Sequence, residues 1–176
     1  RAVEDVFSDT TIPVKGIISV KYGYGETLKH ITTIEASHPV PDSQGMRAAE
    51  EIVALLQNAG EKNLVISLFS GGGSALLPLP VPGITLGEMQ TTTDLLLRSG
   101  AEIDEINAVR KHISQVKGGR LMQAAYPATV CNLLLSDVLG DRIDVIASGP
   151  FAPDESTFST AVKVCKKYDI LPLIPG

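Results

Sequence analysis

The run Asn63-Leu-Val-Ile-Ser-Leu-Phe69 passes directly into Ser70-Gly71-Gly72-Gly73-Ser74. A β-branched apolar segment that stops at three glycines reads as a buried strand ending in a tight loop. Glycine lets a backbone turn this sharply and present bare N–H groups. The flanking serines add hydroxyls at the same spot. The guest such a loop prefers is an anion, a phosphate or a carboxylate. A packing turn is the plainer reading, but one or two glycines would suffice for it. No Gly-Lys-Ser/Thr follows, so the loop is not a Walker A motif, and its spacing is not the dinucleotide GxGxxG.

Outward from this junction, strands alternate with helices. Gly16–Val20 is a short buried-type strand, and Ile31–Glu35 is β-branched and alternating. The prolines of Ser37-His-Pro-Val-Pro-Asp42 make a loop, after which Asp42 or Ser43 caps a helix over 43–58. Its apolar residues Met46, Ala49, Val53 and Leu56 recur at steps of three and four. Past the proline-rich loop 78–83, Thr85-x-x-Glu88 is a capping box for a helix with Leu86, Met89, Leu96 and Leu97 on its apolar face. Asp104 opens another helix, and helical character resumes at Arg120–Ala125. Thr129–Ser136 reads as a strand, Asp144–Ala147 as a further one, and Asp154 or Ser156 as the cap of a last helix ending near Tyr168. The pattern predicts an α/β layered fold with a mostly parallel sheet. Such sheets bind ligands at the carboxyl ends of their strands. The clusters Ser70–Ser74, Ser136–Asp141 and Ser148–Asp154 all follow strand ends, so they are expected to meet in one crevice.

Composition bounds the function. The chain has 176 residues, 44% hydrophobic and 20% charged, with net charge −5 and no basic run. Nucleic-acid binding is not expected on that ground, because it needs clustered Lys and Arg. No stretch approaches the length of a membrane span, and no signal peptide is visible. Cys131 in an apolar run and Cys165 in a helical pattern read as buried thiols of a reducing, cytoplasmic compartment. The first residues read like the middle or end of a helix and Leu171–Gly176 like a linker, so a piece of a longer protein is expected.

The helix after Asp104 has two faces, Ile106, Val109, Ile113 and Val116 against Asn107, Arg110, Lys111 and Ser114. On sequence alone the second face reads as solvated surface. The functional reading makes Arg110 and Lys111 contacts to phosphate or carboxylate. Lys117 beside Gly118-Gly119 suggests a second anion site. Asp137, just past a strand, suits a Mg²⁺ ligand or the capping of a turn. His38 reads as a general base, a substrate donor or a plain exposed loop histidine. There is no zinc-ligand spacing and no nucleophile elbow.

Phe69-Ser-Gly-Gly-Gly-Ser-Ala-Leu-Leu-Pro78, Glu105-Ile-Asn-Ala-Val-Arg-Lys-His112, Lys117-Gly-Gly-Arg120, Leu135-Ser-Asp-Val138 and Val145-Ile-Ala-Ser-Gly-Pro150 together resemble the class II glycerate 2-kinases, a group that includes hydroxypyruvate reductase-like proteins. His38-Pro-Val-Pro-Asp42 fits the same pattern, and the match runs from about Gly16 to Lys167. The resemblance implies a Rossmann-like N-terminal domain, here a single α/β domain over 1–176, facing a second domain across the active site. It implies transfer of the γ-phosphoryl group of ATP to the 2-hydroxyl of D-glycerate, with Mg²⁺. Ser70, Gly71, Gly72, Gly73 and Ser74 become the anion cradle, and Asn107, Lys117 and Gly118 become substrate or phosphate contacts. Arg110, Lys111 and Asp137 become catalytic groups, with Asp137 also the metal ligand. The family's Gly-Lys-Ala segment has no counterpart before Gly16. The expected partners are therefore D-glycerate, ATP, a second domain of the same protein and another copy of the chain. The competing expectation is a non-catalytic domain that binds an acidic or phosphorylated metabolite.

Overall fold

The computed structural model describes residues 1–136 and 138–175. In chain order the elements are α1 (Ala2–Phe7), β1 (Gly16–Lys21), β2 (Ile31–Ala36), α2 (Ser43–Gln57), β3 (Leu64–Ser70), α3 (Leu86–Arg98), α4 (Ile103–His112), α5 (Arg120–Ala125), β4 (Thr129–Leu135) and α6 (Phe158–Lys167). The strands form two parallel pairs among the described residues. Gly16 lies opposite Ile31 in the first, and Leu64 opposite Thr129 and Ser70 opposite Leu135 in the second. The α/β reading with parallel strands holds. Because β3 and β4 run in register, the glycine loop and the segment after Leu135 leave from the same end of the pair.

Local signals account for the helix starts. Asp42 caps α2 by accepting the Gly45 N–H at 2.9 Å. Thr85 and Glu88 close the capping box on α3. Burial then assembles two cores. Ala49 and Leu56 of α2 and Leu121 and Ala125 of α5 pack with Leu77, Leu79, Val116 and Phe151. Phe69 at the end of β3 meets Phe151 edge-on, with ring centroids 6.1 Å apart. The second core joins α3, α4 and α6 through Leu96, Ile106, Val109, Ala161, Val164 and Cys165. Each fully buried leucine of this kind stabilises the fold by roughly 1.5–3 kcal/mol.

Four expectations are corrected. Residues 144–147 are not a strand. Ile146–Ser148 form a 3₁₀ turn with φ of +51° at Ala147, +63° at Ser148 and +61° at Gly149, values outside the strand region. The turn buries Ile146 and carries Ser148 inward. The last helix is capped by Thr157, whose hydroxyl accepts the Thr160 N–H at 3.2 Å. Leu97 is 62% exposed, and the inner face of α3 is Met89, Thr92 and Leu96. Finally, Cys131 is exposed, because it shares the outer face of the β3–β4 pair with Leu64, Leu68, Leu133 and Leu135, while Cys165 is buried as expected.

Candidate anion-binding site

The glycine loop folds on itself through Gly73 N–H to Ser70 O and Ala75 N–H to Gly72 O. Gly72 sits at φ +80°, and a Cβ there would lie 2.8 Å from His38 Nε2. The histidine after β2 thus lies against the loop after β3. Among the described residues, the N–H groups of Gly72 and Ser74 donate to no protein acceptor.

Ser74 is the hub. Arg110 Nη2 donates to its hydroxyl at 2.7 Å, and Lys117 Nζ donates to the same oxygen at 2.7 Å and to the Ser74 carbonyl at 3.0 Å. Ser148 Oγ stands 3.2 Å from Ser74 Oγ and donates to Asn107 Oδ1 at 2.9 Å. Backbone pairing puts these groups in place. Val81 N–H reaches Ile113 O and Gln115 N–H reaches Leu79 O, which zips the chain after α4 to the strand-like segment after the glycine loop. Lys117 is thereby carried to Ser74.

The electrostatics at this hub are unusual. Lys117 is 3% exposed, and burial first, then the Arg110 charge, holds its amine well below the usual lysine range. Burial also lowers Arg110. Neither cation forms an ion pair with a carboxylate among the described residues. Charging two buried basic groups that share one neutral hydroxyl is costly unless a negative charge joins them. Chemically the hub can hold an oxyanion through cationic donors and loop N–H groups, the arrangement that stabilises charge in phosphoryl transfer.

The expected site residues separate into groups. Ser70, Gly71, Gly72, Gly73, Ser74, Arg110, Asn107 and Lys117 come together here. The polar face of α4 is not solvated surface, since Asn107 and Lys111 are buried; Ser114 lies beyond the end of the helix at His112, in the segment bridged to Pro80, and is buried there. Lys111 is not at the hub. Its Nζ lies 3.4 Å from Asp154 Oδ1 and 4.0 Å from Asp144 Oδ2, so its charge is already matched. Gly118 is also turned away, because its N–H donates to Ser148 O at 3.1 Å and its Cα faces Asp154. It and Gly119, whose N–H donates to Gly149 O at 2.8 Å, pack closely here, with a Cβ at Gly119 falling 3.0 Å from Ala152 O. Asp137, the expected metal ligand and catalytic carboxylate, lies outside the described residues. Two arrangements escaped the sequence reading. Ser148 was legible only as part of a polar cluster past a strand, and nothing local pairs Lys111 with Asp154.

A family model described as a domain of unknown function, DUF4147, matches residues 1–175. The chain belongs to the DUF4147 family. This DUF4147 domain is 47% identical to a glycerate 2-kinase of Pyrococcus horikoshii, across 99% of the domain and 39% of the relative. It is 50% identical to a D-glycerate 2-kinase of Thermotoga maritima, across 89% of the domain and 38% of the relative. The crystal structure of a Pyrococcus horikoshii OT3 protein superposes with a TM-score of 0.91 at 47% identity, over 99% of the domain and 39% of that chain. That of a Thermotoga maritima glycerate kinase superposes with a TM-score of 0.85 at 50% identity, over 89% and 38%. The domain therefore spans about two fifths of the length of these relatives.

Proposed function

We propose that this chain is one wall of a D-glycerate 2-kinase, an enzyme moving the γ-phosphoryl group of ATP to the 2-hydroxyl of D-glycerate. The observation that carries the reading is the convergence of buried Arg110 and Lys117 on Ser74 at the end of β3. The names of the Pyrococcus and Thermotoga relatives support the choice of substrate. In this reading the hydroxyl oxygen of glycerate bonds to the γ-phosphorus, and the bond from phosphorus to the β–γ bridging oxygen breaks. The transferring group spreads negative charge over its oxygens, and catalysis is mainly positioning and charge neutralisation. Arg110 and Lys117 supply the positive charge, and the loop N–H groups supply donors that need no reorganisation. His38, lying against Gly72, is a group on the loop side able to carry the proton that leaves the glycerate hydroxyl.

Mg²⁺ bound to ATP would neutralise the phosphates and orient them. Among the described residues no group of three His, Cys, Asp or Glu gathers for a metal. Mg²⁺ characteristically keeps several waters and binds through substrate phosphates and one or two carboxylates. Asp137 is the candidate for the protein's share.

The remaining catalytic groups are assigned to a second domain that closes over this one and excludes water. No described helix is long and apolar enough to cross a membrane. The test is ADP release with D-glycerate and Mg²⁺, measured on the full-length protein and on residues 1–176 alone. Saturable turnover by the former and little by the latter is expected. Binding of glycerate or ATP without turnover by the full-length protein would establish the non-catalytic binding domain instead.

A further inference from the structure

Resting on that anion-site reading, we infer that Ser148 and Asn107 are positioning residues that turn the Ser74 hydroxyl into an acceptor for both cations. The hydrogen-bond directions force this order. Arg110 has only donors, and Lys117 has only donors once a bound anion restores its charge. Ser74 Oγ therefore accepts from both, at 2.7 Å each, which occupies both of its lone pairs. Its own proton then has, among the described residues, one partner, Ser148 Oγ at 3.2 Å. Ser148 accepts that proton because its own is directed to Asn107 Oδ1 at 2.9 Å. The chain runs in one direction, Ser74 to Ser148 to Asn107, and ends on a side chain only 3% exposed. Ser74 thus donates nothing to the ligand. It holds Arg110 and Lys117 so that their remaining N–H groups converge on one place.

The backbone agrees. Ser148 holds φ +63° and its predecessor Ala147 φ +51°, conformations that disfavour residues with a side chain. Such strain persists where surrounding structure enforces it, and here it aims one hydroxyl at Ser74. Glycine would occupy this position more comfortably, yet a serine stands there.

The experiment is Ser148→Gly in the full-length enzyme, with kcat and the KM values for ATP and D-glycerate measured beside urea unfolding. Relief of strain keeps stability unchanged or raises it. Loss of the hydroxyl should raise one KM roughly tenfold, and it should be the same KM that Arg110→Ala raises. Asn107→Leu should act in the same direction. In a Ser74→Ala background, Ser148→Gly should add nothing, because the hydroxyl it orients is gone. Additive effects of the two changes would overturn the proposal. So would lowered stability with unchanged KM values, which would assign Ser148 to folding. If Arg110→Ala raises a KM and Ser148→Gly does not, the relay is wrong while the anion site stands. If neither substitution changes any KM, the anion-site reading itself fails.

Discussion

Lys117 Nζ and Arg110 Nη2 each lie 2.7 Å from the same Ser74 oxygen, although the residues stand 43 and 36 positions away from it in the chain. The glycine loop ending β3 is the meeting point. A site of this kind is preorganised for an anion and unfavourable without one, which makes its behaviour on substitution specific.

Arg110→Ala and Lys117→Met should each weaken binding of the anionic substrate by tenfold or more. A hydrogen bond to a charged group contributes about 1.5–3 kcal/mol. Stability in urea should change little or rise, because each change removes a buried charge lacking a carboxylate partner among the described residues. Calorimetric titration with ATP and with D-glycerate, beside denaturant unfolding, checks both halves.

Gly72→Val should weaken both the loop and the fold. Its Cβ would approach His38 Nε2 to 2.8 Å, and φ of +80° is strained for a β-branched residue. A loss of about 1–3 kcal/mol is expected. Gly72→Asn, which tolerates this φ better, should cost less backbone strain. Equal unfolding midpoints for Gly72→Val and the parent chain would contradict this.

Lys111→Met should act on stability and not on substrate affinity. The lysine is 7% exposed and faces Asp154, so its removal leaves that largely buried carboxylate without its lysine partner, held by the Ser156 N–H and hydroxyl. Breaking a pair this buried costs about 3 kcal/mol. Lys111→Met combined with Asp154→Leu should recover part of the loss. The measurement is the urea midpoint of each variant, with KM values taken on the folded enzyme.

Acid should loosen the docking of α6 on α4. Lys167 Nζ at 2.6 Å and the Tyr168 hydroxyl at 2.5 Å hold Glu105 at about 2, below its ordinary value of 4.5. A depressed carboxyl contributes stability that is present above pH 4.5 and lost as pH falls through about 2. Glu105→Gln should therefore flatten the pH dependence of unfolding in that window while leaving the curve near neutrality parallel to the parent. An unchanged slope between those limits would remove Glu105 from the acid response.

The outer face of the β3–β4 pair should drive self-association of residues 1–176 in isolation. Leu64, Leu68, Leu133 and Leu135 lie exposed on it, and parallel strands ordinarily have both faces covered. Leu68→Lys with Leu133→Lys should shift the sedimentation profile toward monomer. An unchanged, already monomeric profile in the parent would show that the face does not drive association.

What the sequence determined by itself is what depends on near neighbours. The strand into Ser70–Ser74, the Asp42 cap, the Thr85–Glu88 box and the α2 stripe were legible because strand period, capping and helix period act over four residues or fewer. The apolar face of α4 was legible for the same reason. Periodicity also placed Asn107, Arg110 and Lys111 on one face, but not what covers it, and it carried the helix past its true end at His112 to include Ser114. Only the tertiary structure decided that the face is buried, that Arg110 turns to Ser74 while Lys111 turns to Asp154, and that Gly118 packs against Asp154. It also converted the apolar run at 144–147 into a turn with positive φ. The physical reason is that a charge's role follows from its partner, and these partners lie 36 to 43 residues away, brought together by the packing of two separate cores.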